Sequence, residues 1–315
     1  MNNFTKNFLL FCTTVLICLL LLEVAVRIAI PSDHIFGWPK DIISPDDEIT
    51  YTLTPNFTSR MSTNEYNVEL KINELGFRDG VKHKAPIVMI GDSFLFGWGV
   101  NQDETYAALL QNKLNLTVAN LGTPGYGNFH EYHLLERHIE RLEPKLVIYS
   151  YYLNDPGDSV RGETKTEFLT GGRLAFSKQS TWTKFKGLIY NNWHSFTFFG
   201  RIVHNAIKAK PKKDPVHNIT QEQKETWTKY MNNIHDLTKE NNASLMIVIL
   251  PDSQVQLDIN FVEDFTKQTN TTLLDMRPNF TKDLWFEYDS HFNAKGHKVA
   301  ADLIYDKLIN ASLVS

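Results

Sequence analysis

The fold of this chain is decided by residues 87–97, which read IVMIGDSFLFG. The first four residues form a continuous apolar run, as expected of a parallel strand that is buried on both faces. Gly-Asp-Ser follows directly, and a helical stretch comes next. Ligands bind beyond the carboxyl ends of strands in open α/β sheets, so Ser93 could present its hydroxyl and its backbone N–H to a ligand there. By itself Gly-Asp-Ser is also an ordinary turn and helix cap.

The same alternation of apolar strands and helices continues along the chain. The predicted strands cover residues 87–90, 118–119, 146–152, 245–250 and 273–276, and the predicted helices cover 105–114, 129–142, 221–240 and 294–309. Strands that alternate with helices indicate a parallel sheet covered on both faces. We therefore predict an α/β fold with a central parallel sheet of about five strands.

Three other polar motifs also fall at predicted strand ends. They are the glycine-rich segment 120–127, which contains Gly125, then Asn154, and then Asp289-Ser290-His291. An imidazole could act as the base for Ser93, and a carboxylate two residues before it could orient the ring. Each motif alone is also a plain turn or cap. Their common position at the strand ends is what indicates a site.

This pattern resembles the SGNH (GDSL-type) hydrolases over residues 86–315, and in particular the bacterial membrane-anchored members. The resemblance implies a flavodoxin-like three-layer α/β/α fold and Ser–His–Asp ester chemistry. It also implies catalytic roles for Ser93, Asp289 and His291, and an oxyanion hole made by Ser93, Gly125 and Asn154. The chain departs from the family in two places. Its first motif reads GDSF instead of GDSL, and Asp289 and His291 are spaced as D-x-H instead of the commoner D-x-x-H. The D-x-H spacing also occurs in relatives that modify exported polysaccharides.

The N-terminal residues 8–22 read FLLFCTTVLICLLLL and carry no charge, and the apolar stretch continues to Ile30. It is long enough to cross a bilayer as a helix. A cleaved signal peptide would need small residues at its cleavage site, and a lipoprotein would need a small residue before Cys12 or Cys18. A buried core helix would be less uniformly apolar than this segment. We expect residues 1–30 to be a single-pass signal anchor in the inner membrane, with the remainder on the periplasmic side.

Two segments differ from the α/β pattern. Residues 31–85 contain alternating stretches at 49–53 and 66–72, which predict a β-rich lead-in. Residues 157–220 form an aromatic-rich insertion inside the predicted hydrolase domain of residues 86–315. A long insertion of this kind is often a lid or a substrate-binding element, but it could also be a helical pair that packs on the sheet edge.

Composition narrows the function classes. The net charge of −4 argues against a nucleic-acid binder, and both cysteines lie in the apolar N-terminal run, which leaves no Cys-based zinc site. His130, His133 and His138 lack the spacing of a helical zinc motif, and we interpret them as a solvated helix face. We expect no metal and no cofactor.

The expected function is that of a membrane-anchored serine ester hydrolase. It would remove or transfer acyl groups, acetyl above all, on an O-acylated envelope carbohydrate or a small ester. An O-acyltransferase, or a non-catalytic glycan-binding or assembly protein on the same fold, remains an alternative. The sequence names neither the acyl group, nor the acceptor, nor a protein partner.

Overall fold

The computed structural model describes residues 2–30, 39, 41–63, 65–165, 168–170, 173–175, 193–207, 219–252 and 258–314. The chain divides into two units, one built from residues 1–40 and 178–212 and the other from residues 41–177 and 213–315. Much of the predicted aromatic insertion, for which a lid, a substrate-binding element and a helical pair are the alternatives, lies outside the described residues.

The described strands are Ile43–Asp46 (β1), Thr50–Leu53 (β2), Thr58–Ser62 (β3), Asn67–Lys71 (β4), Ile87–Gly91 (β5), Val118–Asn120 (β6), Leu146–Tyr151 (β7), Phe168–Thr170 (β8), Arg173–Ala175 (β9), Ser244–Ile249 (β10) and Thr272–Asp275 (β11). The described helices are Asn3–Ala29 (α1), Ser93–Phe96 (α2), Tyr106–Leu114 (α3), Asn128–Leu142 (α4), Asp155–Glu163 (α5), His194–Ile207 (α6), Gln221–Glu240 (α7), Asn260–Thr269 (α8) and Ala294–Asn310 (α9).

The larger unit is built on one five-stranded sheet of order β11-β10-β7-β5-β6, in which every neighbouring pair is parallel. All five residues of β5 and all six of β7 are buried, as their continuous apolar runs predict. Helices α3 and α9 pack together in one layer, and α4, α5 and α7 pack together in another. The predicted three-layer α/β/α fold with a parallel sheet is confirmed.

The sequence prediction includes neither α8 nor α5, the helix that follows β7. Its sequence DPGDSVRGE contains two glycines and a proline, which together are typical of a turn. Proline is nevertheless well tolerated in the first turn of a helix, where its missing N–H needs no partner, and it stands there in α5. The predicted insertion therefore begins with a regular helix of the sheet's covering layer.

The lead-in forms two antiparallel pairs, β1 with β2 and β3 with β4. The alternating pattern predicts β2 and β4 but not their partners. Beyond β4, the buried Arg78 connects it to the segment that follows Ser93. The Arg78 guanidinium donates to the carbonyl oxygens of Phe96 at 2.9 Å, Gly97 at 2.5 Å and Val100 at 2.6 Å. The lead-in thus holds the chain next to the proposed nucleophile.

We expect Arg78→Met to lower the free energy of unfolding by at least about 2 kcal/mol, because it leaves three buried carbonyl groups without this donor. Urea unfolding of the two proteins measures the difference. Arg60→Met is the matched control, since Arg60 is exposed on β3. Equal losses in the two variants would contradict this role for Arg78.

His297 on α9 gives the larger unit a pH-dependent stability. Its ring is buried, its Nδ1 accepts from the Tyr106 N–H at 3.2 Å, and burial together with the charges of Arg78 and His291 lowers its pKa from 6.5 to about 3. Below pH 6.5 the unfolded histidine takes up a proton that the folded one does not. Stability from this group is therefore complete above pH 6.5 and is lost as the pH falls toward 3.

For this single proton, the free energy of unfolding should fall by up to about 1.4 kcal/mol per pH unit as the pH is lowered from 6 to 4. His297→Asn keeps a side-chain acceptor but does not titrate, so unfolding curves of the variant should depend less steeply on pH across this range. Parallel curves for the two proteins would show that His297 does not contribute.

The smaller unit contains α1 and α6, which pack against each other. Among the helices in the described residues, α1 alone is both long enough and apolar enough to cross a membrane. Its most apolar window has a mean hydropathy of 2.7. Most of its side chains are exposed, and its buried residues are Glu23 and Val26, near its C-terminal end.

Candidate active site

Ser93 occupies the first position of a single helical turn at the carboxyl end of β5. The preceding Asp92 caps this turn, because its side chain accepts from the Phe94 N–H at 2.9 Å. Gly97 ends the turn with a φ of +84°, a left-handed conformation that favours glycine. The GDSF segment therefore acts as a cap, as its composition alone suggests, and it also presents Ser93 at the sheet edge.

The structure brings together the three residues predicted to be catalytic. Ser93 Oγ lies 2.8 Å from Nε2 of His291, although the two residues are 198 positions apart. On the other side of the ring, Nδ1 lies 2.5 Å from Oδ1 of Asp289. A carboxylate beside Nδ1 favours the tautomer with the proton on that nitrogen, so that Nε2 is free to accept the Ser93 proton. The D-x-H spacing is thus long enough for the carboxylate to reach the imidazole.

The second oxygen of Asp289 is held by two residues that the sequence analysis did not single out. Tyr66 Oη and Trp98 Nε1 each donate to Oδ2, both at 3.0 Å. Burial alone would raise the pKa of Asp289, but its hydrogen bonds and the charge of His291 lower it below the ordinary value. Asp289 is therefore held as an anion whose two oxygens have separate partners.

The loop before His291 is held by Glu65, which comes just before β4. Its carboxylate accepts from three consecutive backbone N–H groups, those of Glu287 at 2.6 Å, Tyr288 at 3.1 Å and Asp289 at 2.8 Å. The sequence shows only an alternating strand at 66–72. No local signal could have shown that its start contacts residues more than 220 positions later.

Aromatic rings surround the imidazole. The Trp98 ring stacks on His291 with centroids 5.5 Å apart, and the Phe94 ring lies at 4.8 Å. Both residues follow Ser93 closely in the chain, so the turn that presents the serine also limits the space around its base. This packing restricts the rotation of His291 away from Ser93.

Gly125 and Asn154 lie on the loops that follow β6 and β7, the two strands that flank β5. The β6 loop is fixed to the end of β5, because the Thr123 N–H donates to the Gly91 carbonyl at 3.0 Å. Gly125 has a φ of +83°, which favours glycine at this position. The Asn154 amide donates to Asp158 at 2.5 Å. Both residues therefore lie at the same edge of the sheet as Ser93.

A group of buried carboxyl groups lies in the core of the larger unit. Burial raises the pKa of Asp92 to about 6. Burial together with the negative charge of Asp92 raises the pKa of Asp155 well above the ordinary range, and the pKa of Glu131 is raised likewise by burial and by the charges of Asp155 and Asp92. Asp155 is also held by Tyr149 Oη at 2.6 Å and by the Tyr152 N–H at 3.0 Å. These pKa shifts favour the neutral form of Glu131 and Asp155.

The histidines of α4 do not form a solvated face, so that interpretation is wrong. His130 is fully buried, and its ring stacks on Tyr126 at 4.8 Å because this end of the helix packs into the core. Among the described residues, Glu48, His133 and Glu136 place potential metal-ligand atoms within 4.8 Å of one another. Arg137 already pairs with Glu48 at 3.0 Å, and its positive charge opposes a cation there.

The chain matches one known protein family over more than half of its length. Residues 89–299 match the model of the GDSL-like Lipase/Acylhydrolase family. No protein with a curated description matches the chain significantly.

Similar folds occur among solved structures. A protein of the G-D-S-L family from Desulfitobacterium hafniense DCB-2 is 16% identical, with a TM-score of 0.44 over 70% of this chain and 98% of its own. The psychrotrophic esterase EstA from Pseudoalteromonas sp. is 15% identical, with a TM-score of 0.44, and the match covers 71% of this chain and 97% of EstA. A family two carbohydrate esterase from Clostridium thermocellum, solved with cellohexaose, is 12% identical, with a TM-score of 0.44. The match covers 75% of this chain and 67% of the esterase.

Proposed function

Because the chain belongs to the GDSL-like lipase/acylhydrolase family and is a hydrolase of ester bonds, we propose that Ser93, His291 and Asp289 are its catalytic triad. The observation that supports this most directly is the unbroken line of contacts from Ser93 Oγ to Nε2, and from Nδ1 to Asp289. The proposed substrate is an O-acylated (O-acetylated) envelope carbohydrate or a small ester.

In the proposed mechanism, Ser93 Oγ attacks the ester carbonyl while Nε2 of His291 accepts its proton. Asp289 stabilises the imidazolium that results. The same proton then passes to the leaving alcohol, and an acyl group remains on Ser93. Water completes hydrolysis by attacking this acyl-enzyme, whereas a sugar hydroxyl would complete transfer.

The backbone N–H groups of Ser93 and Gly125 and the Asn154 side chain form the proposed oxyanion hole. Asn154→Ala should lower kcat by about 10²–10³-fold with little change in KM, because a donor of this kind acts mainly on the charge that develops in the transition state. Steady-state kinetics on an aryl acetate measures the effect. Asn310→Ala, at the exposed end of α9, is the control, and a matching fall in that variant would remove the case for Asn154.

We further propose that α1 anchors the protein in the inner membrane as a single span, with the catalytic unit in the periplasm. The length of α1, its mean hydropathy of 2.7 and its exposed side chains support this placement. Resistance of the protein to carbonate extraction, together with protease access to the catalytic unit in spheroplasts, tests it. Extraction into the soluble fraction would contradict the anchor.

Fluorophosphonate labelling distinguishes an enzyme from a non-catalytic carbohydrate-binding protein on the same fold. The full-length protein should become labelled, and Ser93→Ala should not. Absence of labelling in the wild-type protein would favour the binding protein. Incubation with an O-acetylated glycan, with and without an unacetylated acceptor, then separates released acetate from transferred acetate.

A further inference from the structure

We propose that α6 lies in the membrane interface beside the outer end of α1, with the side chains of Phe196, Phe199, Ile202 and Val203 facing lipid. This inference rests on the membrane anchoring proposed above. It gives part of the predicted aromatic insertion a role at the bilayer rather than over the active site.

The contact between α1 and α6 is built on a carboxylate at a helix N-terminus. Glu23 of α1 accepts from the His194 N–H at 2.9 Å, and from both the N–H at 2.9 Å and the hydroxyl at 2.8 Å of Ser195. Arg27 also donates to it, at 2.7 Å. The first N–H groups of a helix lack partners within the helix and favour a negative charge, so Glu23 serves as the cap of α6.

This contact defines the depth at which α6 begins. Lys6 and Glu23 bracket the uncharged run. Lys6 and Arg27 lie about 31 Å apart at 1.5 Å per residue, which matches a hydrocarbon core of about 30 Å. Glu23 lies about 6 Å inward from Arg27 along the helix. The N-terminus of α6 is therefore at the boundary between hydrocarbon and headgroups, where a carboxylate needs the hydrogen bonds that α6 supplies.

The exposure of α6 is the reverse of that expected for a helix of a soluble protein. Its exposed apolar side chains are Phe196 at 50%, Phe199 at 44%, Ile202 at 50% and Val203 at 54%, and their spacing places them on one face. The small polar residues Ser195 and Thr197 are buried. An outward apolar face on a helix that begins at the bilayer boundary fits lipid as its occupant.

The charge of the segment favours anionic lipid over a second copy of this chain. Residues 194–207 contain Arg201 and no acidic residue, and the sequence continues with Lys208, Lys210, Lys212 and Lys213. Basic residues beside an amphipathic helix strengthen its binding to anionic headgroups, whereas two copies of the same basic segment would repel each other.

Spin labels on the full-length protein test the inference. Phe199→Cys and Val203→Cys are introduced singly in a Cys12→Ser, Cys18→Ser background, and the protein is placed in nanodiscs that contain anionic lipid. The accessibility of each label to oxygen, which partitions into lipid, is compared with its accessibility to a water-soluble nickel chelate. Leu16→Cys on α1 is the control for lipid, and Glu222→Cys, exposed at the start of α7, is the control for water.

We expect the labels at 199 and 203 to show an oxygen-to-nickel ratio several-fold above that of position 222. Water-like ratios at both positions, with position 16 in lipid, would overturn the inference and leave the anchor intact. Low accessibility to both reagents would also overturn it, because a protein surface would then cover the face. A water-like ratio at position 16 would instead contradict the membrane anchor itself.

Discussion

Ser93→Ala should lower kcat for an aryl acetate by at least about 10⁴-fold, which is the largest effect expected of any single substitution in this chain. The variant lacks the oxygen that forms the acyl-enzyme, and His291 then has no hydroxyl to activate. Binding and the remaining oxyanion donors would leave only a small residual rate. Because Ser93 Oγ makes its hydrogen bond to a side chain and not to the backbone, the fold should survive.

Initial rates measure this loss, and thermal unfolding verifies that the variant is folded. Ser59→Ala on β3 is the control and should retain the activity of the wild-type protein. If Ser93→Ala were folded and still hydrolysed the ester at a comparable rate, another residue would have to be the nucleophile.

Asp289→Asn should lower kcat by about 10³–10⁴-fold, even though it changes one atom. The reason lies in the partners of the two carboxylate oxygens. Trp98 Nε1 can only donate, and it lies 3.0 Å from Oδ2, closer than the backbone N–H of His291 lies to Oδ1 at 3.2 Å, so the asparagine oxygen should take the Oδ2 position. The amide NH₂ group then faces Nδ1 of His291, which must become an acceptor. The ring proton is left on Nε2, where it prevents the ring from accepting the proton of Ser93.

A partial recovery of kcat is expected that loss of the negative charge alone would not allow. In Asp289→Asn combined with Trp98→Phe, the amide can rotate and accept from Nδ1, so part of the lost kcat should return. Nitrogen-15 NMR of His291 should show the change of tautomer directly. Asp264→Asn, exposed on α8, is the control. No recovery together with an unchanged tautomer would contradict the proposed role of Trp98.

The sheet was predictable because its signal is local. A strand buried on both faces must be continuously apolar, and residues 87–90 and 146–152 meet that condition. All four of the predicted helices were placed within a residue at each end, because amphipathic periodicity is also a local property. Helix α5 was missed where composition favours a turn, and the burial of His130 was missed because no short motif shows which part of α4 faces the core.

The candidate triad could be predicted for a related reason. Parallel strands all end at one edge of a sheet, so polar motifs after successive strands meet there without any knowledge of distances. The partners of Asp289 could not be found in this way. Tyr66 and Glu65 belong to a segment outside the parallel sheet, and their contacts with the His291 loop span more than 220 residues.

The amino-acid sequence by itself therefore determined the class of fold, the edge of the sheet where chemistry is expected, and the candidate serine, histidine and aspartate. The fold follows from local patterns of polarity, which repeat at the period of a strand or a helix, and the candidate residues follow from short motifs at the predicted strand ends. Only the tertiary structure decided how Asp289 is held and which helix Glu23 caps. Such contacts depend on which distant segments share a surface, and that is settled by the packing of the whole chain rather than by any stretch of it.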